Sequence, residues 1–563
     1  MIVDLQKLEY DTLDLYSKIF LDIQLDYNNL ISDIYRNNNI TNPLLFSNIL
    51  SRNLLQSDLF INCVNIILID NLIRNNDLRE VIVYNKTLYK QILFSFPKLK
   101  VTFKNKNHSK KKIENLFFKP ILDIIRIIIQ SIHLIYIRNR KRRMNLINSD
   151  KVILLDSFLF DNSFKSEKFI DRNYTDYDKY ILKELKDKIF LLPTIYYNFF
   201  SRKILDKIYN NSSDNLVFKY DFLKISDYID SLFLLFNQNI KPDKYTLRNI
   251  DISLLIQGSH KYNKFSFQTF YSLLNYKFIG RLKELNINIE GLIDWNENQP
   301  HDRALIKAMK DYYPNVLTKA YQGFIISYDY HFYLCPIKEE VMNSVIADEI
   351  CVVGSGLNEY LKKFTSMINV KVAPSFRFID SKFSNISESN NKNKILLVLP
   401  INYLIAVKQV IFLHDIISKS NFNYLKLEIK PHPSYNIENL KKQIENLDNI
   451  SIVTDDFVKI VNDYDIVLGN TTSALVEAAS NAVPVIIIPD MNNFTQNPIP
   501  ANISSKIWIQ CKSKNEIILS IQRFLGYNSN QKKELKVIAS EIKEKYFHEV
   551  NNETVNQFFN FQK

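Results

Sequence analysis

Cysteine is scarce and scattered: four residues in 563, Cys63, Cys335, Cys351 and Cys511, with no CxxC spacing. That excludes a zinc ribbon and a disulfide framework, and it fits a reducing cytoplasm. Glycine is rarer still for this length. All eight glycines and both tryptophans fall between Gly258 and Gly526, so the first 250 residues differ in texture from the rest and at least two structural pieces are expected. No internal repeat of about 20–50 residues is present, which sets aside solenoids and propellers. The opening stretch MIVDLQKLEYDTLDLY is acidic and lacks a basic region, an apolar core and a small-residue cleavage site, so no secretory signal is expected. No nucleic-acid motif occurs, and the basic residues flank a greasy helix instead of interleaving with aromatics, so nucleic acid is not an expected partner. No DxD pair offers metal ligands; Asp455-Asp456 reads as a helix cap in a short loop.

What is present is ordinary globular material, 46% hydrophobic and 23% charged, in a chain too long for one growing core, so two or three domains are expected. From Lys394 the pattern is regular: KILLVLP, YLKLEIKPHP, ISIVT, YDIVLGN and VPVIIIPD alternate with helical segments. Short Val/Ile/Leu runs between helices predict βαβ units and a parallel, doubly wound sheet. Upstream, REVIVY, KVILLD, NIEGLIDW, VLTKAYQG, ADEICVVGSG and VKVAPSF predict strands of a second, less regular α/β domain. The expected division is an N-terminal domain over 1–380, a polar linker over 381–393, a C-terminal Rossmann-like domain over 394–545 and a tail over 546–563. Two such domains enclose a cleft, where a ligand belongs.

The net charge of +12 has one concentrated source. Lys98 to Lys112 holds seven lysines, FFKPILDIIRIIIQSIHLIYI follows, and RNRKRR closes the segment. Asp123, Arg126 and His133 interrupt the apolar run, which argues against a bilayer span and for a helix within about 98–143 lying on an anionic membrane surface. The competing reading is a core helix with solvated basic flanks.

Three stretches carry chemistry. In IKPHP, His432 stands just past a predicted strand, between Pro431 and Pro433, with Lys430 beside it; such a held imidazole suits an anion, although a prolyl turn with an incidental histidine has the same sequence. In YDIVLGNTTSALVEA, Gly469 allows a tight turn and Asn470, Thr471, Thr472 and Ser473 open a helix, with Glu477 about one turn in, placed to accept from ribose hydroxyls. Free N–H groups and hydroxyls there form an anion site, and ordinary capping is the alternative. In GLIDWNENQPHDRA, Asp294, Glu297, His301, Asp302 and Arg303 gather at one strand-to-helix junction, with Gln299 before Pro300. That density of ionisable groups marks a candidate catalytic site, against a capping role for Glu297 and Asp302.

The KPHP and Gly-Asn-Thr-Thr-Ser-Ala-Leu-x-Glu pair resembles the donor half of GT-B glycosyltransferases, and with the ENQP-x-DRA block and YQG it resembles bacterial surface-carbohydrate proteins related to Kdo transferases, over about 285–490. The resemblance implies two Rossmann-like domains facing a cleft, with extra helices in the N-terminal half. It implies transfer of an acidic, nonulosonic-type sugar, Kdo or sialic-acid-like, from CMP to a surface glycan or glycolipid acceptor. It implies a nucleotide site from Lys430, His432, Pro433, Asn470, Thr471, Thr472, Ser473 and Glu477. Glu297, Asp294 and Asp302 become the catalytic candidates; His301, Arg303 and Gln299 become candidates for the sugar. No metal or other cofactor is expected. The expected location is the inner face of the cytoplasmic membrane, as a peripheral protein. A CDP-glycerol-type polyol phosphate transferase and a non-catalytic scaffold of a glycan export complex are the alternatives.

Overall fold

The computed structural model describes all residues except 76, 105–118, 160–162, 166–167, 196–201, 212–214, 380–392, 421, 423, 491–492 and 562–563. Two six-stranded, all-parallel sheets organise it. Fifteen strands in chain order suffice to describe it. A small N-terminal sheet holds β1 (Ile2–Asp4), β2 (Glu80–Val83) and β3 (Lys100–Phe103). The first large sheet holds β4 (Val152–Leu159), β5 (Ile189–Ile195), β6 (Ile289–Trp295), β7 (Leu317–Gln322), β8 (Glu349–Val352) and β9 (Val370–Val372) in the order β9-β8-β7-β6-β4-β5. The second holds β10 (Lys394–Val398), β11 (Lys426–Lys430), β12 (Ile450–Ile452), β13 (Ile466–Gly469), β14 (Val485–Ile487) and β15 (Trp508–Gln510) in the order β12-β11-β10-β13-β14-β15.

The continuous apolar runs that predicted strands are buried on both faces, as parallel strands covered by helices must be; every residue of β4 is buried. Each expected strand is present. Four more are unexpected: β5 and β15 complete the two large sheets, and β1 and β3 flank β2 in the small one. The second sheet has the dinucleotide-fold order 3-2-1-4-5-6, which reverses direction between β10 and β13. The first has the flavodoxin-like order 2-1-3-4-5 with one added strand, and it reverses between β4 and β6. Ligands of such sheets sit outside the strand C-termini at that reversal.

The domains touch on one side of the cleft through stacked Phe20 and Phe494, with ring centres 4.4 Å apart, and through Ala501 N–H, which donates to the Tyr360 hydroxyl at 2.9 Å. The architecture is GT-B: two Rossmann-like domains facing a cleft. The expected linker lies outside the described residues apart from Asn393. The tail is no loose appendage. Its helix Asn552–Phe559 returns to the first domain, where Lys319 Nζ donates to the Phe558 carbonyl at 2.6 Å. The preceding helix, Ser529–Tyr546, meets that domain at Gly354, where a Cβ would sit 2.4 Å from the Lys545 carbonyl.

Candidate functional site

The two reversal points carry the residues of interest. In the first sheet Leu155 pairs with Ile293, so Asp156 and Asp294, each one residue on, lie side by side on the same face. Both are fully buried. Lys219 Nζ donates to Asp156 Oδ1 and to Thr194 Oγ1, each at 2.6 Å. Burial, then the carboxylates of Asp302 and Asp156, push the Asp294 carboxyl well above the ordinary range; burial does the same for Asp302. Neither is poised to accept a proton from an acceptor, and neither reaches solvent. The expectation that they share catalysis with Glu297 is corrected accordingly. Asp302 is an anchor: its Oδ2 accepts from the backbone N–H groups of Glu297 and Gln299, both at 2.9 Å.

That anchor positions Glu297. Its Oε1 accepts from the Trp295 indole at 3.1 Å and its Oε2 from the Gln299 amide at 2.8 Å, so the carboxylate is half-buried with its direction set. Asn298 takes the strained left-handed conformation, φ 49°, and its amide donates to the Tyr333 carbonyl at 2.6 Å, which closes the turn.

His301 and Arg303 are not available to a sugar. Burial brings the His301 imidazole down to about 4, and the ring lies edge-on to Phe158 and Tyr271. Arg303 is buried: its guanidinium donates to Glu340 Oε1 at 2.6 Å, to the Tyr35 hydroxyl at 2.5 Å and to the Leu45 carbonyl at 3.2 Å. Arg52 grips the same Glu340 from the other side, at 2.7 Å. The block DRA at the start of helix Pro300–Tyr312 therefore bolts that helix to the N-terminal helices. Gln299 is buried and engaged with Glu297, so it too serves the loop.

The cations that do face the cleft were not read from the sequence. Arg172 sits on a turn held by Asp171, whose Oδ1 accepts from the N–H groups of Asn173 and Tyr174 at 2.6 and 3.1 Å. Arg377 sits on the short turn Phe376–Phe378, its guanidinium 5.8 Å from the Trp295 ring centre. Tyr174 and Phe376 meet at 6.0 Å, which brings the two turns together. Among the described residues neither arginine has an ion-pair partner, and both are exposed. Burial, then the charges of Arg377 and Arg172, bring His432 down to about 4, which places this pair opposite the second domain.

There the imidazole of His432 follows β11, as expected. Its Nδ1 lies 2.8 Å from the Ser434 hydroxyl and 3.2 Å from the Ser434 N–H; with Nδ1 accepting from that N–H, the proton of the neutral ring sits on Nε2, where it can be donated. Lys430 Nζ donates to the Thr454 carbonyl at 3.1 Å, and Pro433 is exposed. Val398 of β10 pairs with both Lys430 and Gly469, so the His432 and Asn470 loops are two strand spacings apart, roughly 10 Å. Gly469 serves by close approach, not by a left-handed turn: a Cβ would meet the Val398 carbonyl at 2.8 Å. The left-handed residue is Thr471, φ 55°, an unfavourable state for a β-branched side chain. Asn470 is buried with its Nδ2 unpartnered. Capping accounts only for Thr472, whose Oγ1 accepts from Ala474 N–H at 3.3 Å; Ser473, at the cap position, makes no cap bond. The helix itself, Ala474–Ser480, is short, and Glu477 stands half-buried on it.

Among the described residues no three His, Cys, Asp or Glu side chains converge as a metal-ligand set. A cavity of about 450 Å³ opens elsewhere, between helix Tyr10–Asp22 and residues 489–501, and no candidate site residue lines it.

No family model and no curated protein matches the chain. Solved structures similar to it include alpha,alpha-trehalose 6-phosphate synthase from Burkholderia multivorans, 7% identical over 73% of this chain and 95% of that one, TM-score 0.41. The pneumococcal O-GlcNAc transferase GtfA, solved with UDP and GlcNAc, is 11% identical over 73% and 98%, TM-score 0.40. The UDP-GlcNAc 2-epimerase of Methanocaldococcus jannaschii is 12% identical over 72% and 98%, TM-score 0.38.

Proposed function

We propose that the chain is a glycosyltransferase that moves an acidic, nonulosonic-type sugar from a CMP-activated donor to a surface glycan or glycolipid, working at the inner face of the cytoplasmic membrane. The observation that carries this reading is a held carboxylate, Glu297, on the same rim as two unneutralised cations, Arg172 and Arg377, with the imidazole of His432 facing them from the second domain. A CMP-linked acidic sugar presents two anionic groups, the phosphate and the sugar carboxylate. Arg172 and Arg377 match them better than the buried Arg303 and His301. Fixed donors aimed at the phosphate stabilise charge as the bond from anomeric carbon to phosphate oxygen breaks and CMP leaves with the electron pair. His432, Asn470, Thr471 and Ser473 take that phosphate, Lys430, Pro433 and Thr472 shape the cradle, and Glu477 takes the ribose.

Glu297 attacks the anomeric carbon as CMP leaves and is displaced in turn by the acceptor hydroxyl, whose proton passes to the phosphate of the departing CMP, giving net retention; its alternative role, deprotonating the acceptor, gives inversion. The direct test is turnover with CMP-Kdo, CMP-sialic acid, CDP-glycerol and UDP-GlcNAc, together with thermal shifts by CMP, UMP and GMP. Turnover of a CMP-sugar, a shift with CMP alone, and a drop of roughly 10- to 100-fold in donor affinity in His432→Ala, the loss of one hydrogen bond to a charged group, are expected. Turnover only with UDP-GlcNAc or CDP-glycerol overturns the donor assignment. No nucleotide binding at all favours a scaffold.

A further inference from the structure

Of the segment about 98–143 expected to lie on a membrane, the apolar part forms helix Lys119–Tyr136, while 105–118 lie outside the described residues; no single helix in the described chain is long and apolar enough to cross a bilayer. This helix and the next, Arg140–Ile147, bend by 70° at their junction. Arg142 pins the second one down through a fully buried ion pair with Asp221 at 2.9 Å. The first helix buries Ile127, Gln130, Ser131 and Leu134. Among the described residues its other side is largely uncovered: Ile121, Ile125, Ile128 and Ile132 follow the helical repeat, flanked by Leu122 and Ile129, all between 47% and 60% exposed, while Tyr136 at its end stacks on Tyr209.

A second helix, Ile225–Leu234, does the same. Ile225, Ile229 and Phe233, continued by Phe236, are 50% to 66% exposed at a spacing of one helical turn. Both helices pack on helix Phe267–Glu284, and one end of each lies against residues 262–265. Lys119, opening the first, donates to the Tyr262 carbonyl at 2.8 Å, while Phe236, closing the second, packs on Phe265 at 4.9 Å. At the other end the Arg138 charge bears on Tyr228. The two helices therefore run antiparallel on the helix they share, each with its own exposed apolar stripe.

We infer that this two-helix plate is the membrane-docking surface, and that its occupant is an anionic bilayer. The argument is charge complementarity. Arg126, Arg140 and Lys141 are exposed on or beside the first stripe, Lys224 is exposed at the start of the second, and Arg138 lies at the corner between them. Most nearby carboxylates are already matched: Asp123 by Lys119 at 2.7 Å, Asp227 by Arg281 at 2.6 Å, Asp230 by Lys277 at 3.4 Å, Asp221 by Arg142 and Glu284 by Arg281 at 2.6 Å; Lys224 also reaches Glu284, at 3.7 Å, and Asp206 accepts from the Tyr136 hydroxyl at 3.1 Å. An apolar face with basic edges sits in the boundary between acyl chains and headgroups, where long basic side chains reach up to phosphate. Phe267–Glu284 packs in turn on Pro300–Tyr312, whose N-terminus carries the Glu297 loop. Two interhelical spacings put that carboxylate roughly 20 Å from the plate, within reach of an acceptor held in the same membrane. The inference deepens the membrane part of the function proposed above and needs nothing of its donor chemistry.

The test is co-sedimentation of the full chain, without nucleotide or acceptor, with vesicles of phosphatidylcholine and phosphatidylglycerol at 70:30 and of phosphatidylcholine alone. Wild type pellets with the mixed vesicles at least tenfold more than with the neutral ones. Ile125→Asn with Ile132→Asn abolishes pelleting, and Phe233→Ser alone lowers it several-fold; because these side chains are exposed, unfolding midpoints stay at the wild-type value. Wild type left in the supernatant, equal binding to both vesicles, or Phe233→Ser binding as wild type overturns the inference. So does a dimer in vesicle-free solution that Phe233→Ser dissociates, since the plate then belongs to a second copy. Transfer activity is not read, so a wrong donor leaves this result untouched.

Discussion

The rims of the two sheets solve different problems with one architecture. At the first, Asp156, Asp294 and Asp302 are fully buried beside Lys219, and a second buried network of Arg52, Glu340 and Arg303 clamps the helix behind them. At the second, burial is spent on apolar strands, and what faces the cleft is a neutral imidazole, hydroxyls and an amide. Buried ionic networks are costly and rigid, which suits the holding of one carboxylate in one direction. A neutral donor left buried without a partner, as Asn470 Nδ2 is, costs desolvation that a bound anion repays, and the absence of a fixed charge suits a group that must be released afterwards.

The sharpest way to break that contrast is Glu297→Gln, which keeps the Trp295 contact and removes the charge. A rate loss of about 100- to 10,000-fold with unchanged circular dichroism is expected, measured as initial rate of sugar transfer. Next comes the clamp: Glu340→Ala leaves Arg52 and Arg303 buried and unpaired, and urea denaturation is expected to register a loss of about 3–5 kcal/mol. A buried imidazole makes the first rim pH-sensitive in a defined direction. The unfolded chain takes up a proton on this histidine below about 6.5, while folded His301 stays neutral down to about 4, so stability is full above that range and falls as pH drops through it. His301→Phe removes this part of the slope, read as the difference in urea midpoints between wild type and variant at pH 7, 6 and 5. The smallest effect sharpens the second rim: Thr471→Gly relieves the left-handed strain and is expected to stabilise the fold by about 1 kcal/mol while weakening donor binding, seen by calorimetry.

Much of the fold was legible because parallel strands buried on both faces have to be continuous apolar runs, and KILLVLP or KVILLD admits few other readings. IFLLPTI and the WIQ of Trp508–Gln510 escaped notice, the one interrupted by Pro193 and the other too short to carry a pattern. At the site, the position of Glu297 and of His432 followed from strand ends, but the roles of their neighbours did not. ENQPHDRA concentrates charge, and nothing in the string separates Glu297, half-buried and aimed by Trp295 and Gln299, from Asp302 and Arg303, which face inward. Arg172 and Arg377 lie 205 positions apart in ordinary loops and carried no local signal. The second apolar stripe, Ile225, Ile229 and Phe233, has the same period as any core-facing helix.

Local period and composition are enough for the two parallel sheets, the strand ends where chemistry gathers and the amphipathic helix between basic stretches. Which charges are buried, which arginines reach the cleft, which helices leave their apolar faces uncovered and where the tail returns are set by how the elements pack. Those outcomes depend on which surfaces meet, and desolvation on meeting fixes whether an Asp is an anchor or an Arg a free cation.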